Sequence, residues 1–380
     1  MNQDRKAVKT IYLVAPGGGV GGGMGRVKDY ILQSDAARNG PVRFEALVTR
    51  DERGVVFSLL LLLRAILTIW WARLNGSLAF VHVNFGDRGS AFRKGLIILA
   101  SALVGAPTLL HLHAAELVEF HAEGTPLRRW LLRLPFRQAS AIIVLGRLWK
   151  DWLVRDLGID AGKIDILCNG VPVVPTPRTF TTEPGRTRTI LFLGLLTERK
   201  GISDFLAALS LLPGEAPPWR AIIAGHGDVP RYTALADELG LSGRVEFIGW
   251  VGQADVRRLL CSVDMMVLPS YHEGLPLVIL EALGCGAPVI TTPVGAIPEF
   301  LEQGSEVLLV PPGDRAALSA RMLDLLADPA LQQSLSDRGL ERFRARFTLE
   351  AFLSDMLAIY ARRFGVRTDP VGEMTAERAR

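Results

Sequence analysis

The chain has 380 residues, long enough for two domains of ordinary size, and 49% of them are hydrophobic, enough for full cores. Three scattered cysteines (Cys168, Cys261, Cys285) without C-x-x-C spacing indicate neither a disulfide framework nor a zinc site, and point to a reducing cytosol. The net charge of +4 is uneven: residues 1–175 carry 22 Lys/Arg against 14 Asp/Glu, and residues 176–380 carry 21 against 25. With no recognition-helix frame and no aromatic RNA-binding strand, nucleic acid is not the expected partner, and the basic half points to anionic lipid or phosphate.

The first apolar run, Ile11 to Val14, is too short for a signal-peptide core, so no export signal is expected. A strand over Thr10–Ala15 opens into GGGVGGGMGRV, with glycines at 17–19, 21–23 and 25. Glycine this dense permits positive φ and close approach of backbone to a ligand. The loop contains G-x-G-x-x-G (Gly17, Gly19, Gly22), but the second strand, Arg43–Val48, runs into Thr49-Arg50, with Asp51 already in the turn. A dinucleotide site expects an acid at that strand end, so the better reading is a loop that closes over a diphosphate or sugar. A plain mobile turn is the other reading.

Val55 to Leu74 is twenty residues long with only Arg64 and Arg73 charged, near the length of a membrane span. Arg64 falls at its centre, where a charge is expensive, and a strand (Leu78–Val83) follows at once. A buried or interfacial helix of a βαβ unit is therefore expected. Arg128 to Arg137 is a second candidate for surface contact, with Arg129 and Arg133 on one helical face beside Trp130 and leucines. A solvated basic face over a core stripe is the competing reading. Between these two segments, a strand over Pro107–Leu112 leads into His111-Leu-His113, where alternation puts both imidazoles on one sheet face, His113 nearer the carboxyl end.

Strands over Ala141–Leu145 and Asp165–Leu167 complete a first set of six, and the Pro- and Thr-rich stretch Val171 to Arg188 reads as a linker. A second set follows: Thr189–Leu193, Arg220–Ala224, Val245–Ile248, Met265–Leu268, Pro288–Thr291 and Val307–Val310. Alternation of such strands with helical patterns predicts an α/β class with parallel sheets, ligand loops at the carboxyl strand ends, and two doubly wound domains facing across a cleft. At those ends lie Gly194 to Gly201 with the adjacent cations Arg199 and Lys200, which can clamp a diphosphate. Gly225 and Gly227 follow the next strand, and Trp250-Val251 the one after.

The most informative segment runs from Val267 to Phe300. A strand enters a turn carrying Glu273, Gly274-Leu275-Pro276 follows, and a helix places a second carboxylate at Glu281. Proline is expected just inside that helix start, where its missing N–H costs nothing. Unsatisfied N–H groups there make an anion site, and carboxylates on either side of it suit the hydroxyls of a phosphorylated polyol such as a sugar nucleotide.

Taken together, these motifs resemble the GT-B fold, and specifically family 4 of the retaining glycosyltransferases. The resemblance covers nearly the whole chain. It rests most on E-G-L-P-L-V-I-L-E followed by A-L-G-C-G-A-P-V-I, with support from His113, Asn169-Gly170-Val171 and the G-x5-K-G turn. The wording Val81-His-Val-Asn-Phe through Arg88-Gly-Ser is similar to bacterial enzymes of surface and exopolysaccharide assembly.

The resemblance implies an acceptor-side domain at 1–172, a linker at 173–188, and a nucleotide-sugar domain at 189–349. A helix near 350–364 packs back on the first domain, and a flexible tail closes the chain at 365–380. It also implies that Glu273 contacts donor-sugar hydroxyls, Glu281 the ribose, and Lys200 with Arg199 the diphosphate. The backbone after Gly274 holds phosphate, His113 lies near the transferred sugar, and Gly21, Gly22 and Gly23 close over the donor. Many relatives carry Arg directly after the strand-end glycine, where this chain has Leu195. No D-x-D metal motif is present and no cofactor is expected. No carboxylate can be assigned as a covalent nucleophile. The expectation is a cytosolic, peripherally membrane-associated hexosyltransferase acting on a saccharide acceptor, lipid-linked in the fullest form of the reading. The alternatives are a GT-B epimerase or glycogen-type synthase, and a catalytically silent binding module.

Overall fold

The computed structural model describes residues 9–17, 22–50, 53–172, 180, 183 and 185–366. The chain divides into two compact units, one of residues 1–169 with 349–380 and one of residues 170–348. Each is built on a six-stranded, all-parallel sheet.

The first unit runs β1 (Thr10–Ala15), α1 (Gly22–Gln33), α2 (Asp35–Asn39), β2 (Arg43–Val48), α3 (Val55–Leu74), β3 (Leu78–Phe85), α4 (Gly89–Leu103), β4 (Thr108–Leu112), α5 (Leu117–Ala122), α6 (Pro126–Gln138), β5 (Ala141–Val144), α7 (Arg147–Arg155) and β6 (Ile164–Ile166). The second runs β7 (Arg188–Leu193), α8 (Ile202–Ser210), β8 (Trp219–Ala224), α9 (Val229–Glu238), β9 (Val245–Gly249), α10 (Gln253–Ser262), β10 (Met265–Leu268), α11 (Leu277–Gly284), β11 (Val289–Thr291), α12 (Ile297–Phe300), β12 (Leu308–Leu309), α13 (Arg315–Ala327) and α14 (Pro329–Arg346). The last helix, α15 (Leu349–Phe364), belongs to the first unit. Every strand expected from the sequence is present, displaced by at most two residues at an end. The apolar runs are long because each central strand is covered on both faces, as parallel sheets require.

The strand orders are β2-β1-β3-β4-β5-β6 and β12-β11-β10-β7-β8-β9. In the first unit the chain leaves β1 in one direction and then crosses to β3 on its other side. Right-handed crossovers therefore place α1 and α2 on one face and α3, α4 and α6 on the other. The α15 helix covers the α1 face. Tyr360 meets Phe80 edge-on at 4.8 Å between ring centres, Phe364 stacks on Phe80 at 4.1 Å, and Arg363 forks onto Asp165 (2.7 and 2.9 Å). In the second unit the reversal falls between β7 and β10. Each sheet thus has one switch point where loops diverge and leave a crevice at the carboxyl ends.

One expectation changes and one is narrowed. Pro276 caps α11 from outside with φ −66° rather than sitting inside its first turn, and Glu281 lies about one and a half turns beyond the cap. Val55–Leu74 is a helix, but packed along one side only: Ser58, Leu62, Ala65, Ile69 and Ala72 are buried, while its opposite side is open. Trp70 Nε1 donates to the Ala100 carbonyl (2.9 Å) and ties it to α4.

Candidate active site

The switch point of the second unit brings together two turns far apart in sequence. After β7 the chain makes a single 3₁₀ turn, Glu198–Lys200, and is stopped by Gly201 at φ 72°. A side chain at Gly201 would fall 2.1 Å from the Pro269 carbonyl oxygen, so only glycine lets this turn lie against the loop after β10. The contact is sewn by backbone: Tyr271 N donates to Arg199 O (2.8 Å). The Arg199 guanidinium donates to His272 O (2.8 Å). Its place beside Lys200 is therefore partly structural: it ties the two turns together.

Lys200 Nζ donates to Glu273 Oε1, and Ser270 Oγ donates to the same oxygen at 2.9 Å. Glu273 is 7% exposed and Lys200 14%, so each charge is largely removed from water and held by the other. The Glu273 loop is braced from behind. Ala296 N donates to Gly274 O (2.9 Å) and Thr292 Oγ1 to Ser270 O (2.5 Å). Gly274, Leu275 and Pro276 are buried and lead directly into α11. The arrangement offers a fixed carboxylate, a fixed ammonium and a helix start at one point, which can grip polyol hydroxyls and stabilise negative charge on a phosphate.

Gly225 and Gly227 dock the end of β8 against the turn after β7; Leu196 N donates to His226 O (2.6 Å) and Gly225 N to Gly249 O (2.8 Å). Trp250 is open to solvent and stacks on His226 at 6.0 Å between ring centres, with Val251 half-buried beside it. The loops after β7, β8, β9 and β10 are therefore adjacent. Glu281 faces a different space, a shallow open pocket also lined by Gln253, Val256, Arg257, Leu260 and Cys285. Behind it the Cys261 and Cys285 thiols meet at 2.9 Å, a proximity their spacing in sequence did not suggest.

His113 lies in the other unit, just past β4. Its Nε2 is 2.9 Å from Asn84 Oδ1, and Asn84 Nδ2 donates to Val14 O (3.4 Å). With the amide oriented that way, His113 must donate through Nε2 and keeps a lone pair on Nδ1. Burial pushes His113 down to about 3, with the charges of His82 and Lys94 adding, so it is neutral at ordinary pH. A buried relay stands behind it: Tyr360 Oη contacts His82 Nδ1 (2.5 Å), His82 Nε2 contacts His111 Nδ1 (3.2 Å), and the His111 ring lies 4.0 Å from that of His113. His82 is also lowered to about 3 by burial.

Gly22 and Gly23 open α1, whereas Gly21 lies outside the described residues. Met24 in that helix touches Lys94 of α4 (3.9 Å to Nζ). Lys94 is 1% exposed and lowered to about 7 by burial, with Arg93 beside it. Among the described residues no carboxylate pairs with it. The loop between β3 and α4 is strained at Arg88 (φ 49°), the one non-glycine with positive φ among the described residues. It is held by Asp87, which accepts from Ala115 N (3.2 Å) and Glu116 N (3.1 Å).

Ser270, Asn84, Lys94 and Asp87 escaped the sequence reading. Asn84 and Asp87 carried a signal, polar residues closing an apolar strand at its carboxyl end. Lys94 carried none, because its burial depends on contacts far along the chain, such as Met24 at the start of α1.

Two family descriptions match successive parts of the chain: "Glycosyl transferase 4-like domain" over residues 14–170 and "Glycosyl transferases group 1" over residues 187–328. The lipopolysaccharide core biosynthesis glycosyltransferase LpsE of Rhizobium meliloti is 34% identical over 190 residues, 50% of this chain and 54% of that protein, so the match spans about half of that relative. The alpha-D-kanosaminyltransferase of Streptomyces kanamyceticus is 23% identical over 74% of this chain and 77% of its own. Among solved structures, sucrose-phosphate synthase from Thermosynechococcus elongatus superposes with a TM-score of 0.78 at 21% identity, covering 94% of this chain and 100% of that one. Anabaena HepE in complex with UDP-glucose superposes with a TM-score of 0.71 at 18% identity, covering 93% and 99%. With both halves matched in order and both sheets in place, the chain belongs to the glycosyltransferases of family 4, on the GT-B fold.

Proposed function

We propose that the protein transfers a hexose from a nucleotide-diphosphate sugar to a saccharide acceptor, with retention of configuration, in bacterial polysaccharide or glycoconjugate assembly. The observation that carries this reading is the Lys200–Glu273–Ser270 cluster at the switch point of the second unit. Glu273 would take the sugar hydroxyls, Glu281 the ribose from the rim of its pocket, and Lys200 the diphosphate as charge develops on the leaving group. His113, neutral and with a free Nδ1 lone pair, would accept a hydroxyl of the transferred sugar. Gly21, Gly22 and Gly23 would close over the donor. Lys200 and the start of α11 supply the positive charge the leaving group needs, so the reaction is proposed to proceed without a metal.

The activities of relatives support the acceptor class: lipopolysaccharide core biosynthesis for LpsE, and amylovoran biosynthesis for AmsK of Erwinia amylovora. Structures of HepE with UDP and UDP-glucose support a nucleotide-sugar donor. The acceptor is proposed to be lipid-linked and the enzyme cytoplasmic, at the inner face of the membrane.

Thermal unfolding against UDP-, GDP- and ADP-sugars without added metal tests the donor site, because a ligand bound only to the folded state raises the melting point. One nucleotide series should stabilise the protein, and Glu281→Ala should abolish the shift. Glu273→Ala should cut turnover by about a hundredfold or more, the scale of losing one electrostatic contact to the transition state. No shift with any series at millimolar concentration would remove the transferase reading in favour of a silent binding module, a view that Leu195, 46% exposed beside the phosphate turn, keeps open. In that case Leu195→Arg should restore a shift.

A further inference from the structure

We propose that α3, α4 and α6 form one membrane-docking face, which lies flat on an anionic bilayer with α3 buried along its length in the outer part of one leaflet rather than crossing it. This rests on the reading of a membrane-bound acceptor and names the surface that would serve it.

The three helices are neighbours on one side of the first unit's sheet. Trp70 of α3 bonds Ala100 of α4, and Gly95 of α4 lies against Pro135 of α6, where a side chain on the glycine would fall 2.9 Å away. Each presents large apolar residues to solvent that a water-soluble surface would not collect. On α3 these run the length of the helix, from Val55 (78% exposed) through Leu60, Leu63 and Leu67 to Trp71 (70%). On α4 they are Phe92, Leu96 and Leu103, and on α6 Leu127, Trp130 and Leu131.

Charge identifies the occupant. The three helices contain no Asp or Glu, while α6 alone carries Arg128, Arg129, Arg133 and Arg137. Where their bonds are visible they go to backbone carbonyls: Arg128 to Phe120 O (3.1 Å), Arg129 to His121 O (3.2 Å), Arg73 to Gly105 O (3.0 Å). Their positive charge is therefore uncompensated within the face. Exposed Leu, Trp and Phe bordered by arginine match the boundary of an anionic bilayer, where apolar side chains enter the acyl region and cations meet headgroups. A second copy of the same face would set cation against cation.

The same contacts argue against a span. Although α3 is long and apolar enough to cross a membrane, Ser58, Leu62, Ala65, Ile69 and Ala72 are already buried in the unit. Crossing would strip that side from its sheet and carry Arg64 to mid-bilayer.

Flotation of the whole protein with vesicles tests this, using phosphatidylcholine alone and phosphatidylcholine with one quarter phosphatidylglycerol. The protein should float with the anionic vesicles, less so as salt rises, and be released by alkaline carbonate. Leu60→Glu, Leu63→Glu and Leu67→Glu combined should weaken binding at least tenfold with an unchanged melting point, since all three side chains are exposed. Arg129→Glu with Arg133→Glu should weaken binding and flatten its salt dependence. Absence of vesicle binding, equal binding to neutral vesicles, resistance to carbonate, or a dimer that the leucine variants dissociate would each overturn the proposal. The nucleotide-sugar shift reads the other unit, so its loss with vesicle binding intact would sink the transferase reading and leave the docking face standing.

Discussion

Lys94 and the three histidines near it are charges suppressed by position. Lys94 is lowered from its ordinary 10.5 to about 7, so between those values the unfolded chain binds a proton that the folded one does not. Stability should then rise with pH from about 7 to 10. His82 and His113 are lowered from 6.5 to about 3, and the same argument makes stability fall as pH drops from 6.5 towards 3. Melting points across this range should show both slopes. Lys94→Met should lose the alkaline rise and keep the acid fall, whereas His82→Gln should reduce the acid fall. None of this was legible in sequence: a lysine in an amphipathic helix reads as solvated, and His111 and His113 show only that they share a face. What was legible were the residues set apart by their immediate neighbours in the chain, Glu273 before Gly274-Leu275-Pro276 and Lys200 before Gly201, which the fold brings into contact.

At the scale of elements, the candidate site depends on turns that only glycine can make. Gly295 has φ 60°, and a β-carbon there would fall 2.0 Å from Glu273 O and 2.5 Å from Gly274 O. It presses the Glu273 loop into place although it lies twenty-two residues beyond Glu273. Gly295→Ala should cost about 1–3 kcal/mol, the range for a strained non-glycine backbone, before the steric clash is added. Turnover should fall at least tenfold because the loop must shift, while Gly304→Ala, at φ 75° with nothing within 4 Å, should cost stability without that loss of turnover. Calorimetry and initial rates on the two variants separate the effects. The strands themselves were read well because a central parallel strand is apolar on both faces and stands out against polar connections. Pro276 was misplaced by one position because a proline with φ −66° suits both an N-cap and a first helical residue.

For the whole molecule, the chain's return matters most. The α15 helix follows the second unit in sequence yet completes the first, burying Phe352, Leu353, Met356, Ile359 and Tyr360 there. At about 1.5–3 kcal/mol for each large apolar side chain, its removal would cost on the order of 10 kcal/mol, comparable to the stability of a whole domain. A chain ending at Thr348 should therefore leave the first unit sensitive to protease, while the second keeps its fold and its nucleotide shift. Limited proteolysis with mass spectrometry would read both. A first unit that stays protected would show that α15 is an accessory.

The class is written in the chain itself, and so is the local chemistry of each strand end: twelve apolar runs alternating with helical patterns commit it to parallel sheets, because covered parallel strands are apolar on both faces. Which ends meet is a matter of packing in three dimensions. Strand order placed β7 beside β10, and so brought Lys200 to Glu273 across 73 residues of chain. It laid Tyr360 against His82 across 278, and it left one side of α3 open. Burial and pairing are properties of neighbours in space, and a sequence names only neighbours along the chain.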